Sequence, residues 1–250
     1  MSNFTNDYQL AAYECNQERL IATATIFNWL QDSMDKFSRA CGVGYDFCHP
    51  QGVTYFLKAY DVQIDTLPRW ADYLQMRNTL SNSAACSLFL LQDLYNKHTK
   101  QRLLSAVSHV VLIDFINKRP AHIKNYPLIQ QIPSLHTPVS IEVLKPLDTI
   151  DTTHIQEITY DHIDFNQHVN NTNYVVFAER TLDPVFLKKN RLKRIQVAYK
   201  QAAVLGDKLR IDSKITPSCT DHQISSATQS NRPFARVRFS WMSRNQSNER

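Results

Sequence analysis

The chain has 250 residues, 43% of them hydrophobic and 10% aromatic, with a formal net charge of +5, enough for one large or two modest domains with true cores. That charge does not by itself indicate a nucleic-acid partner, no apolar run reaches the ~18 to 20 residues of a membrane helix, and the opening Met1-Ser2-Asn3-Phe4 lacks the basic-then-apolar plan of a secretory signal, so a cytoplasmic location is expected. Five cysteines, an odd count with no C-x-x-C, argue against a disulfide framework or a zinc site, and four glycines leave little room for a phosphate or dinucleotide loop, so no metal or other cofactor is expected.

In chain order, Tyr8 to Cys15 reads as a first strand. Thr25 is a candidate cap for a helix whose Phe27, Leu30, Met34, Phe37 and Cys41 recur at intervals of three and four and which ends at Gly42. Strands are expected over Val53–Asp65, Tyr73–Leu80, Ala84–Tyr95 and Arg102–Phe115. Strand, long helix and then successive strands is the order of an α+β domain whose antiparallel sheet wraps a helix. From Pro120 the texture changes, with five of the ten prolines (Pro120, Pro127, Pro133, Pro138 and Pro146) close together. The expected organisation is a first domain over 1–119, an extended semi-rigid linker over 120–152 and a second domain over 153–250.

The same order of elements returns after the linker. His154–Tyr160 reads as a strand, a helix is expected from Asn171 with Tyr174, Phe177, Ala178 and Leu182 on one face, and strands follow at Arg194–Lys200, Lys208–Ile215, Gln223–Thr228 and Phe234–Trp241. Two ungapped alignments suggest an internal duplication: Tyr13 with Tyr160, Phe27 with Tyr174 and Leu30 with Phe177 at one offset, and Val62 with Val197, Asp72 with Asp207 and Leu74 with Leu209 at another.

Between the second domain's first strand and its helix lies Y-D-H-I-D-F-N-Q-H-V-N-N-T-N-Y, Tyr160 to Tyr174. If extended, it would project Asp164, Asn166 and His168 to one side. Asn170 and Asn171 are good N-cap residues, and a helix N-terminus presents unpaired N–H groups and partial positive charge suited to an oxyanion. The motif D-x-N-x-H-x-N-N, with Asp161 before it and Tyr174 after it, resembles the signature of the acyl-acyl carrier protein thioesterases. Pro68-Arg69-Trp70-Ala71-Asp72 and Asp114 through Arg119-Pro120 resemble that family's first-domain landmarks.

The resemblance implies two tandem hotdog domains, each an antiparallel sheet around a long helix, and hydrolysis of fatty acyl thioesters by Asp164, Asn166 and His168. At the first offset these positions hold Gln17, Arg19 and Ile21, so the first domain is expected to be non-catalytic and to hold acyl chain, with Trp29, Phe37, Tyr55 and Phe56 as candidates. The basic run Lys188, Lys189, Arg191, Lys193 and Arg194 suits an acidic partner, here the acyl carrier protein with its phosphopantetheine arm. A tandem chain of this kind can be a monomer or a homodimer. One departure stands out: the family commonly carries a glutamate in Y-x-x-E before a Gly-Asp, whereas Tyr199 and Gly206-Asp207 here enclose Ala202. Coenzyme A as the carrier, or acyl binding without hydrolysis, are the alternatives.

Overall fold

Apolar periodicity and turn residues place most of the elements, which fall into two units, Met1–Ile141 and Glu142–Arg250. The computed structural model describes residues 4–135, 139–229 and 232–244, with the backbone alone at residues 82 and 83. In the first unit the strands are β1 (Phe4–Gln9), β2 (Val53–Ile64), β3 (Tyr73–Ala84), β4 (Ser87–Asn96), β5 (Arg102–Asp114) and the two-residue β6 (Arg119–Pro120). They form an antiparallel sheet in the order β1-β3-β4-β5-β2, with β6 on β5. Helix α1 (Thr23–Ala40) buries Ile26, Phe27, Trp29, Leu30 and Ser33. It ends at Gly42, whose φ of 72° is the left-handed conformation that glycine adopts without a Cβ clash. A short helix α2 (Tyr45–Cys48) leads into β2.

The second unit holds β7 (Thr152–Glu157), β8 (Asn190–Tyr199), β9 (Lys208–Ile215), β10 (Cys219–Ser226) and β11 (Pro233–Ser243) in the order β8-β11-β10-β9-β7. Short helix α3 (Pro127–Gln130) belongs to the first unit; α4 (Asn171–Glu179) and α5 (Pro184–Lys189) belong to the second. The second unit's helix is thus divided. Asp183, held extended before Pro184, interrupts the helical path and caps α5 by accepting the N–H of Val185 at 2.6 Å.

Three expectations need correction. The first strand ends at Gln9, and Ala12–Glu14 form a 3-10 turn held by the Glu14 carboxylate on the N–H of Ala11 at 3.0 Å. Thr25 does not cap α1, which starts at Thr23 after Ala22; its hydroxyl donates instead to the carbonyl of Glu14 at 2.9 Å. The stretch expected as a linker is not uniformly extended. It carries a 3-10 turn at Ile123–Asn125 and then α3, with Pro127 at the first helical position, where its missing N–H costs nothing, and Ile129 buried. Pro138 lies outside the described residues.

The duplication is legible bond by bond. Tyr8 pairs with Leu74 in the first unit and Gln156 with Leu209 in the second. Asn16 N–H donates to the carbonyl of Leu20 as Asp164 N–H does to that of His168, and isolated bridges Cys15–Ile21 and Ile163–Val169 close the two loops. Arg19 and Gln167 sit at the same place with φ of 60° and 63°. Backbone hydrogen bonds therefore shift the first alignment by one residue. The counterparts of Asp164, Asn166 and His168 are Asn16, Glu18 and Leu20 rather than Gln17, Arg19 and Ile21. The second alignment agrees with the structure: Asp72 accepts the N–H of Arg69 at 2.8 Å as Asp207 accepts that of Val204 at 3.0 Å.

Candidate active site

The motif is a closed turn, not an extended strand. Asp164 accepts the N–H of Asn166 on Oδ1 at 2.8 Å, Gln167 N–H donates to the Asp164 carbonyl at 3.0 Å, and Asp164 N–H returns to the His168 carbonyl at 2.8 Å. This is the Asx turn that aspartate favours, and Gln167 in the left-handed region lets the chain double back. Alternation along a strand therefore does not place the three side chains; they share one tight loop. Asn166 and His168 are exposed and Asp164 half-buried. Among the described residues no hydrogen bond joins the three side chains, and Asp164 Oδ2 carries none.

The loop runs straight into α4. Asn170 is the N-cap, its side-chain oxygen accepting the N–H of Thr172 at 2.9 Å and its carbonyl that of Asn173 at 2.9 Å. Asn171 supplies the first helical N–H, and none of the hydrogen bonds among the described residues takes it. His162, in the same stretch as His168, is engaged in holding the loop. Its Nδ1 accepts from Thr159 N–H at 3.1 Å, its ring stands edge-on to Phe177 at 4.9 Å, and its carbonyl accepts from Asn170 N–H at 2.9 Å and Asn173 Nδ2 at 3.0 Å. Asp161 accepts from the Thr159 hydroxyl at 2.5 Å, which holds its carboxyl below the usual range.

Behind the loop the chain returns after β8. Val169 N–H donates to the carbonyl of Ala203 at 2.9 Å, and Ala203 N–H donates to the hydroxyl of Tyr174 at 2.8 Å, a phenol whose burial pushes it up to about 12. Ala202, at the position of the family glutamate, is thus next to the residue that braces the motif. β8 ends at Tyr199, so Gln201 and Ala202 lie beyond the strand and its alternation. Sequence reasoning missed Ala203 and the hydroxyl role of Tyr174, although the pairing of Asp72 with Asp207 had already marked this loop as one half of a duplicated pair.

The other expected residues scatter. Lys188 and Lys189 are exposed in the last turn of α5, and Arg191 and Lys193 lie at the start of β8. Arg194 turns to Glu142 at 4.0 Å, a carboxylate also paired with Arg238 at 3.3 Å. Of the four acyl-binding candidates, Phe37 lines a cavity of about 350 Å³ shared with Phe4, Leu80, Ile132 and Leu135. Trp29 is instead engaged with Glu14 at 2.9 Å and stacked on Tyr8 at 4.6 Å, while the Tyr55 hydroxyl donates to the Val43 carbonyl at 3.0 Å. Tyr55 and Phe56 are consecutive in β2 and so face opposite sides of the sheet.

Comparison with known proteins adds identity to this geometry. Palmitoyl-acyl carrier protein thioesterases described as chloroplastic, from Gossypium hirsutum and Arabidopsis thaliana, are 20% and 21% identical to the chain over 237 and 215 residues, or 89% and 79% of it. The chain spans 57% and 52% of their lengths. Among solved structures, the 12:0-ACP thioesterase from Umbellularia californica superposes with a TM-score of 0.86 at 18% identity, covering 96% of this chain and 97% of that one. An acyl-ACP thioesterase from Bacteroides thetaiotaomicron gives 0.80 at 16%, over 96% and 97%. These likenesses establish the α+β fold. The family model of the acyl-ACP thioesterase N-terminal domain matches residues 1–127 and that of the C-terminal domain residues 145–243, so the chain belongs to the acyl-ACP thioesterase family.

Proposed function

We propose that the chain hydrolyses fatty acyl thioesters of acyl carrier protein to free fatty acid and carrier thiol. The observation that carries this reading is the acid, amide and imidazole of Asp164, Asn166 and His168 set on one loop at the N-terminus of α4. The thioester carbonyl oxygen meets the N–H of Asn171, where the helix end and its partial positive charge stabilise the oxyanion, and the Asn166 amide assists. Water, oriented by Asp164 Oδ2, gives a proton to His168 and adds to the carbonyl carbon. The C–S bond then breaks, and His168 delivers a proton to the leaving thiolate, giving a fatty acid and a thiol.

The carrier is acidic, and Lys188, Lys189, Arg191 and Lys193 form the matching surface; Arg194 is left out because it pairs with Glu142. In the first unit, the cavity beside Phe37 suits a hydrocarbon chain. Ala202 favours a second reading, binding without hydrolysis, because alanine cannot orient or deprotonate water. Thiol release from acyl carrier protein esters of several chain lengths, by the native protein and by Asp164→Ala, separates the two. Turnover that vanishes in the variant supports hydrolysis, whereas tight acyl-carrier binding without turnover on any ester supports binding alone.

A further inference from the structure

We propose that the Tyr174 hydroxyl is a positioning group for the candidate site, an inference that rests on the hydrolytic reading above. Tyr174 lies in the first turn of α4, 1% exposed, its ring edge-on to Tyr199 at 6.0 Å. Its oxygen accepts the N–H of Ala203 at 2.8 Å, and the carbonyl of Ala203 accepts the N–H of Val169, the residue after His168, at 2.9 Å. The Tyr199 hydroxyl donates to the carbonyl of Asn171 at 3.1 Å. Two phenols thus tie this corner together, that of Tyr174 holding the segment after β8 that braces the end of the motif, and that of Tyr199 holding the first residue of the helix to the end of β8.

The first unit shows what the fold alone requires. There the counterpart of Ala203 is Pro68, whose carbonyl accepts the N–H of Ile21 at 2.9 Å just as Ala203 accepts that of Val169. Proline has no N–H to donate, and the counterpart of Tyr174 is Ile26, which has no oxygen to accept. The counterpart of Tyr199 is Ile64, and Ile26, Ile64 and Pro68 are all buried. Donor and acceptor are absent together from the copy whose loop holds Asn16, Glu18 and Leu20, and the same loop closes without them.

Burying a hydroxyl and an amide is unfavourable unless they bond, and the bond then returns only a net ~0.5–1.5 kcal/mol. Isoleucine opposite proline is the simpler way to close this corner. The polar version stands in the copy that carries the acid, amide and imidazole. Its effect is to fix His168 and the N–H of Asn171 at one spacing, and a misplacement of about 1 Å in such a constellation costs on the order of 10²-fold in rate.

Tyr174→Phe keeps the ring and removes the oxygen, while Ala203→Pro copies Pro68 and removes the donor, so the second variant decides the matter if the first does not fold. Both are assayed beside the native protein for kcat and KM on acyl-carrier esters and for amide hydrogen exchange at Val169 and Ile21. The expected result is a kcat at least about 10-fold lower with KM within about twofold, and faster exchange at Val169 with Ile21 at its native rate. Native kcat together with native Val169 exchange in a folded variant overturns the proposal. If the native protein turns over no thioester, the hydrolytic reading falls by itself, and faster Val169 exchange in the variant still supports the tether while unchanged exchange overturns it.

Discussion

His162 and His168 share a loop and differ in everything else. His162 is inside a web of bonds to Thr159, Asn170 and Asn173 and against the Phe177 ring, whereas His168 is exposed. His168→Ala is therefore expected to lower kcat on the order of 10²-fold or more with its unfolding temperature unchanged, the size of effect typical of a lost proton-transfer group. His162→Ala is expected to lower the unfolding temperature first, because it strips an acceptor from Thr159 and an aromatic contact from α4. Thermal scans and initial rates on both variants check this; a stable, fully active His168→Ala would remove that ring from the chemistry. The motif singled out His168 over His162 by pattern alone. What it could not convey is that Asp164 spends one oxygen on the N–H of Asn166, since an Asx turn and an extended piece have the same residues and differ only in φ and ψ.

At the scale of elements, five cations adjacent in sequence are not one surface. Lys188 and Lys189 end α5, whereas Arg194 lies past an irregularity in the pairing of β8 with β11, at Ser240/Trp241, and joins Glu142. Reversal of the exposed pair, Lys188→Glu with Lys189→Glu, is expected to raise KM for acyl carrier protein esters about tenfold at low salt with little change in kcat, and the penalty should shrink as salt is added. A salt-independent defect, or one confined to kcat, would speak against docking there. Strands over Val53–Ile64 and Lys208–Ile215 were legible almost to the residue, because alternating apolar side chains bounded by turn residues leave little choice. The first offset slipped by one for a different reason. Aromatic matches such as Tyr13 with Tyr160 follow side-chain type, while the true correspondence follows backbone bonds that many side chains satisfy equally well.

For the molecule as a whole, each unit buries a polar cluster between helix and sheet. In the first, Ser33, Asn78, Gln92 and Ser108 are bonded in series; in the second, the His222 ring meets Ser213 at 2.8 Å, Thr181 at 3.3 Å and Thr220 at 3.2 Å. Gln92 lies opposite Asn78 and His222 opposite Ser213, so the imidazole takes the place of an amide. Burial lowers His222 to about 4, with Asp221 opposing the shift and His154 adding to it. An unfolded histidine near ~6.5 binds the proton that the folded one refuses, so this contribution is full above that pH and is lost as pH falls toward 4, by at most ~3 kcal/mol. His222→Gln is expected to flatten the loss of stability between pH 6.5 and 4.5 in urea titrations; an unaltered slope would assign the acid sensitivity elsewhere.

The first unit's loop, with its Asx turn from Asn16 to the N–H of Glu18 at 2.9 Å, its left-handed Arg19 and its bridge from Cys15 to Ile21, keeps the backbone of the second without its acid, amide and imidazole. It is a mould emptied of its casting. Asn16→Asp, Glu18→Asn and Leu20→His would set the same three groups on the same bends in front of α1, so one polypeptide offers both the proposed site and a blank in which each of its groups can be added back singly.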